Sequence, residues 1–326
     1  MLQRGVQRLL MGLAALGVLT AGAVAQTFPS KQITIVVPFP AGAGPDVIAR
    51  LLGERMASTM KEAVVIENRP GASGMVGATA VARAAPDGHT LLLTPNTLFI
   101  APHVAAPGTK PPVDVIADFV PVIMPSQTTM LMVGNPKLGV KNAREFANLA
   151  RAKNGLSYAS SGNGSVLHIA GELFRDASKV DLVHVPYRGI APAVNDVIAG
   201  HVAVTFAGLG PVREQIRAGA LVALAVVEPN RSPSFPDVPT AIEQGFADVA
   251  VDGWYALLAP KGVPQAVIDR LNKDVNAILQ MPDIRERIEQ SGEVVLGGPP
   301  EALAKRMRHD FERYGQIVRK LNITGD

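Results

Sequence analysis

The chain of 326 residues contains no cysteine. That absence excludes disulfides, thiol nucleophiles, thiolate metal sites and N-terminal lipid attachment through a cysteine. Charge is also scarce, at 18% of residues with a net +3. Two of the positive charges, Arg4 and Arg8, lie in the first 25 residues, which hold no acid, so residues 26–326 carry only +1. No Lys/Arg cluster marks a nucleic-acid surface. The histidines (His89, His103, His168, His184, His201 and His309) form no His-x-x-x-His or His-Glu-x-x-His pair. Neither a Gly-x-Ser-x-Gly elbow nor a Gly-Lys-Ser/Thr phosphate loop is present. Nothing points to a catalytic centre, a metal or a cofactor.

What is present begins with an apolar run, residues 9–25, that follows Arg4 and Arg8 and ends in Ala23-Val24-Ala25. This is the pattern of a cleavable export signal with Gln26 as the first mature residue, and 17 residues sit at the short edge for a membrane span. The expectation is a soluble exported protein without a lipid anchor, placed in the periplasm of a two-membrane bacterium. The remainder, in a chain that is 48% apolar, is large enough for two domains.

The stretch Ile33–Asp46 sets the pattern for the rest. Its β-branched apolar residues read as a buried strand, broken by Pro38, Pro40, Gly42 and Gly44. Pro45 suits the first turn of a helix, and Val47, Ile48, Leu51, Leu52 and Met56 then recur with helical period. A strand running through a glycine loop into a helix leaves unpaired N–H groups at the positive end of the helix dipole, which is a seat for an anion. Asp46 either accepts hydrogen bonds from that loop or simply complements the dipole.

Strands are expected at residues 63–66 and 90–94, with an Ala-rich helix at 78–85, the alternation of a parallel sheet with helices on both faces. Residues 119–124 and 130–133 are read as the crossing into a second domain. Asn142 with Glu145 three residues on resembles a capping box. The opening pattern then returns: a strand at 156–159, a polar loop of Ser160, Ser161, Gly162, Asn163, Gly164 and Ser165, and a helical stripe from Val166 to Phe174. A second anion seat follows from it, built on backbone N–H groups and the hydroxyls of Ser160, Ser161 and Ser165. Further strands are expected at 182–185, 202–206, 221–227 and 254–258, and helices at 192–199, 211–218, 264–281 and from about 300. Two seats in two domains suggest a ligand with two anionic ends. His168 either touches that ligand or caps its helix, and Arg188 either binds a carboxylate or forms a surface ion pair. Trp254 and Tyr255 are read as core or hinge packing.

Several segments in order resemble one family. They are Pro38–Gly42 with Asp46, Asn68–Gly74, Ala85–Leu91, Tyr158–Ser165 with His168, His184–Gly189, Pro236–Thr240, and Trp254-Tyr255 with Leu258–Pro260. Together they are similar to the Bug-type substrate-binding receptors of tripartite tricarboxylate transporters. The resemblance implies an α/β, two-domain periplasmic binding protein of the Venus-flytrap type, with a mixed, mostly parallel sheet flanked by helices in each domain. It places residues 26–125 and 250–326 in domain 1 and 126–249 in domain 2. It also implies a monomer that binds a di- or tricarboxylate, or another organic acid such as an aromatic one, and delivers it to a membrane permease. A receptor feeding a signalling partner and an exported hydrolase are the alternatives.

In such receptors the first loop, here Phe39, Ala41, Gly42, Ala43 and Asp46, and the serine–glycine loop hold the ligand largely through backbone groups and water. Thr94, Asn96 and Thr97 end the third strand at the same cleft, and Phe206 and Ala207 belong to the implied binding set. Ala43, Pro45 and His89 depart from residues common in the family. Ala207 stands where an Asp is frequent, which favours an organic acid without an amino group.

Overall fold

A computed structural model describes residues 28–106 and 108–324. The export-signal reading of residues 1–25 lies outside them. Lys31–Asp326 clusters as one unit, within which the chain builds two sheets. It runs β1 (Ile33–Val37), α1 (Gly44–Met60), β2 (Val64–Asn68), α2 (Met75–Ala82), β3 (Thr90–Pro95), α3 (Ala101–Val104), β4 (Phe119–Ile123) and β5 (Ser126–Thr128). Next come β6 (Met130–Gly134), α4 (Ala143–Ala152), β7 (Ser157–Ser160), α5 (Val166–Ser178), β8 (Val183–Pro186), α6 (Ile190–Ala199), β9 (Val204–Gly208), α7 (Leu209–Arg217) and β10 (Val222–Val226). The return brings β11 (Gly253–Pro260), α8 (Gln265–Leu279), α9 (Pro282–Gln290), β12 (Glu293–Val295) and α10 (Pro300–Leu321).

The first sheet has the order β12-β5-β11-β3-β1-β2, with β4 also on β11, and the second β10-β6-β9-β7-β8. Each is the α/β core of one domain. β1 is an interior strand buried on both faces, which is why Ile33, Ile35, Val36 and Val37 show no polar alternation. Between the named strands, parallel pairing joins β1 to β2 and β3, and β7 to β8 and β9. The other described strand pairs are antiparallel. The sheets are therefore mixed but not mostly parallel. The crossing strands are the cause: β6 enters the second sheet against β9, and β11 returns to the first against β3.

The crossings lie side by side. Met130 N–H donates to Glu228 Oε1 at 2.9 Å, Val227 N–H to the Met130 carbonyl at 2.9 Å, and Val251 N–H to the Val227 carbonyl at 2.8 Å. The first core gathers Val36, Leu92, Phe99, Trp254, Leu258, Leu303 and Met307; the second gathers Met132, Phe146, Tyr158, Phe174 and Phe206. α10 serves both. Its 22 residues span about 33 Å at the helical rise, with Leu303 and Met307 in the first core and Tyr314 and Val318 in the second. The sequence boundaries assign all of α10 to the first domain, whereas its last turns pack with the second. Sequence periodicity also leaves out the short elements β5, β12, α3 and α9; Pro282 at the N-terminus of α9 is the break that separates it from α8.

Candidate functional site

The two strand–loop–helix units form as expected, at the C-terminal ends of β1 and β7, both interior strands that pair in parallel with two neighbours. In open α/β sheets such ends face the ligand crevice. The halves touch beside the second loop: a Cβ on Gly164 would lie 2.4 Å from Cγ2 of Val104, on α3.

The first loop is organised by Asp46, in the first turn of α1. Ala43 is the N-cap and has no side chain to satisfy the helix end. The Asp46 carboxylate instead reaches back to accept the Gly42 N–H at 2.8 Å. It also accepts Arg50 Nε at 2.9 Å and Asn68 Nδ2 at 2.9 Å, and Asn68 Nδ2 further donates to the Phe39 carbonyl at 3.1 Å. Gly42 has φ +82°, left-handed backbone that only glycine adopts without strain, and open space around it. Burial pushes the Asp46 carboxyl up, but the Arg50, Gly42 and Asn68 hydrogen bonds outweigh it and hold it below its ordinary value. Of the two roles open to Asp46, it fills that of loop acceptor, and its oxygens are spent on the protein. The loop itself is exposed at Ala41, Gly42 and Gly44.

The second loop rests on stacked rings. Ser165 is the N-cap of α5 and accepts the His168 N–H at 3.2 Å. His168 is 6% exposed, and its Nδ1 accepts the Gly164 N–H at 3.1 Å. That bond fixes the tautomer, with the proton on Nε2. The His168 ring stacks on His184 at 3.9 Å between centroids, and His184 on Tyr158 at 4.8 Å. His184 Nε2 meets Ser160 Oγ at 2.7 Å, and Tyr158 OH donates to Glu172 at 2.5 Å. Burial, then the neighbouring His184 and Arg175, push the His168 pKa down to about 3. The imidazole is uncharged at neutral pH. Tyr158 lies so close to α5 that a Cβ on Gly171 would come within 2.0 Å of its ring.

The remaining expected residues divide. Ser161, Gly162 and Asn163 are partly exposed on the second loop, and Arg188 is exposed beyond β8 with no ion pair among the described residues. Thr94, Asn96 and Thr97 are buried. Asn96 Nδ2 reaches the crossing, donating to the Asp252 carbonyl at 2.9 Å and lying 3.3 Å from the Tyr314 hydroxyl, while its Oδ1 has no partner among the described residues. Phe206 and Ala207 are fully buried in cores on opposite faces of the second sheet. Alternation along β9 explains that split. Residue reading missed the supports of both loops, namely Asn68 behind the first and Tyr158, His184 and Gly171 behind the second. Their only sequence signal is their place in the quoted family segments, and Gly171 lacks even that.

Comparison with known proteins agrees with this geometry. Residues 48–323 match the model of the tripartite tricarboxylate transporter family receptor. A protein from the tcbD-tcbE intergenic region of Pseudomonas sp. strain P51 is 36% identical over 331 residues, covering 99% of this chain and 96% of its own. Protein BugT of Bordetella pertussis is 34% identical over 317 residues, covering 94% and 96%. Among solved structures, Rpa4515 of R. palustris with adipate superposes with a TM-score of 0.85 at 28% identity, over 92% of this chain and 100% of that one. MatC of Rhodopseudomonas palustris with bound malate gives 0.80 at 32% identity, over 89% and 100%. The chain belongs to the tripartite tricarboxylate transporter receptor family, whose members are periplasmic solute-binding proteins.

Proposed function

We propose that this receptor captures a small carboxylated solute between its two loop-bearing domains and delivers it to the membrane permease of a tripartite tricarboxylate transporter. The observation that carries the proposal is the pair of helix N-termini, α1 and α5, each opening after a glycine loop at the end of an interior parallel strand. Each dipole contact is worth about 0.3–1 kcal/mol, up to about 2 when partly buried. Hydrogen bonds to a charged carboxylate add about 1.5–3 kcal/mol each. A handful of them reaches the roughly 8 kcal/mol of micromolar binding. Structures of relatives with adipate and with malate support the ligand class.

The exposed backbone of the first loop, the partly exposed Ser161, Gly162 and Asn163, and the Arg188 guanidinium supply the contacts. Asp46, His168 and Asn96 act behind them as supports. The domains divide near residues 128–130 and 227–253, where the chain crosses between sheets. A cleavable signal exports the protein, which works as an unanchored monomer without turnover of its ligand.

A thermal-shift screen against mono-, di- and tricarboxylates and amino acids tests this. Ligand at 100 times its Kd stabilises by about 2.7 kcal/mol. The expected result is a rise in melting temperature with one carboxylate class. A rise only with amines, sugars or metals, or with nothing, refutes the carboxylate reading.

A further inference from the structure

A line of polar side chains runs from the first loop to the second sheet. Tyr255, on β11, brings its hydroxyl against Gly44 at the start of α1, where a Cβ would lie 2.2 Å from it. The same hydroxyl stands 3.3 Å from Glu293 Oε1. Glu293 is 7% exposed, and its Oε2 has no hydrogen-bond partner. It pairs across β12 and β5 with Thr128, whose hydroxyl a Cβ on Gly208 of β9 would meet at 2.8 Å. Gly44, Tyr255, Glu293, Thr128 and Gly208 are thus in unbroken succession from the α1 N-terminus to the second sheet.

We propose that Tyr255 donates its hydroxyl proton to the anionic end of the ligand at the first seat, and that a neutral Glu293 is the positioning residue that frees it to do so. The assignment rests on the carboxylate-receptor reading. A buried carboxyl whose partners are the Tyr255 and Thr128 hydroxyls, with no cation, is costly to ionise. The charged groups around it do not supply one. Arg306 is committed to Asp252 and Asp310, and Arg213 to the Glu289 and Gln290 carbonyls at the end of α9. On α1 and α9, Arg50 pairs with Asp46, Arg287 with Glu54, Arg285 with Glu289 and Arg55 with Asp283. Burial pushes Glu293 up to about 8, with the Glu228 charge adding to the rise against the Thr128 and Tyr255 hydrogen bonds.

The two protonation states orient Tyr255 differently. A neutral Glu293 can donate to the phenol oxygen, leaving the phenol proton to point at the seat. Once Glu293 loses its proton to solvent, the carboxylate claims the phenol proton and the tyrosine turns a lone pair toward the ligand anion. Tyr255 itself stays protonated, since burial raises its pKa well above the ordinary value. Anion affinity is therefore full below the Glu293 pKa and falls as pH rises through it.

The test is titration calorimetry on the purified full chain with adipate, malate, citrate and benzoate, at about pH 6.5 and about pH 9.5. For the tightest-bound acid, Kd rises about tenfold across that interval, equivalent to about 1.4 kcal/mol. Tyr255→Phe weakens binding about tenfold at the lower pH and removes the rise. In Glu293→Gln the step near pH 8 disappears. Glu228, which burial raises to about 7, titrates in the same interval, and Glu228→Gln isolates its share. Wild-type affinity in Tyr255→Phe, or an unchanged pH step in Glu293→Gln, overturns the assignment. An equal loss at both pH values in Glu293→Gln makes that residue merely structural and overturns it too. If the wild-type chain binds none of the acids, the receptor reading itself falls, and this inference with it.

Discussion

The first and second loops share one local grammar, a strand end, glycines and a helix N-terminus, yet they are held by opposite means. The first is tied by a carboxylate: Asp46 gathers Gly42, Arg50 and Asn68. The second is tied by rings, with a neutral His168 under Gly164 and the His184–Tyr158 stack behind it. The first brings a fixed negative charge close to the seat for an anion and offsets it with the Arg50 guanidinium. The second keeps its carboxylate one step further back: Glu172 accepts the Tyr158 hydroxyl at 2.5 Å and is offset by Arg175 at 2.6 Å.

The largest expected difference between the loops comes from their glycines. Gly164 has φ +70° and Val104 directly beside it, whereas Gly42 has φ +82° and open space. Gly164→Val meets both left-handed strain and a clash, and is expected to cost about 3 kcal/mol or more. Gly42→Ala meets the strain alone, about 1–2 kcal/mol. Urea denaturation of the two variants checks the order. Equal losses would mean that Val104 gives way and that the halves do not truly abut there.

Acid separates the loops next. His168 is held neutral, with its pKa depressed from 6.5 to about 3. A histidine shifted this way contributes stability that is full above its unfolded value and lost as pH falls from about 6.5 toward about 3. The expected loss in that window is about 5 kcal/mol at most. His168→Gln is less stable at neutral pH but flattens that part of the stability–pH curve. A variant curve parallel to wild type between pH 6.5 and pH 3 would show that His168 is not the group being charged.

Local pattern was enough to read the units themselves. Ile33–Val37, the loop glycines, Pro45 and the cap Asn142 each act through neighbours a few residues away, and each forms as expected; Ser165, read as a hydroxyl of the seat, caps α5 instead. The supports were not legible, because each arrives from far along the chain. Asn68 reaches Asp46 from β2, Val104 meets Gly164 from α3, and Tyr255 approaches Gly44 from β11. Asn96, expected at the cleft from its position after β3, spends its Nδ2 on Asp252 and Tyr314, residues more than 150 positions away, while its Oδ1 has no partner among the described residues. Phe206, placed in the ligand set by the family resemblance, is fully buried in the second core.

The smallest expected effect tests the charged half of the contrast. Asp46→Asn keeps one oxygen for the Gly42 N–H but turns an amide donor toward Arg50 or Asn68, both of which are donors there. The expected cost is about 1–2 kcal/mol at neutral pH, moderated because the Arg50 side chain is 54% exposed and its pairing is screened. Asp46 has a depressed pKa, so its contribution is present above the ordinary value of 3.8 and fades as pH falls through the lower folded value. Wild type and Asp46→Asn should converge in that acid window, below most of the range in which His168→Gln closes on wild type. Convergence already near pH 6 would place both loops under a single titrating group and dissolve the distinction between them.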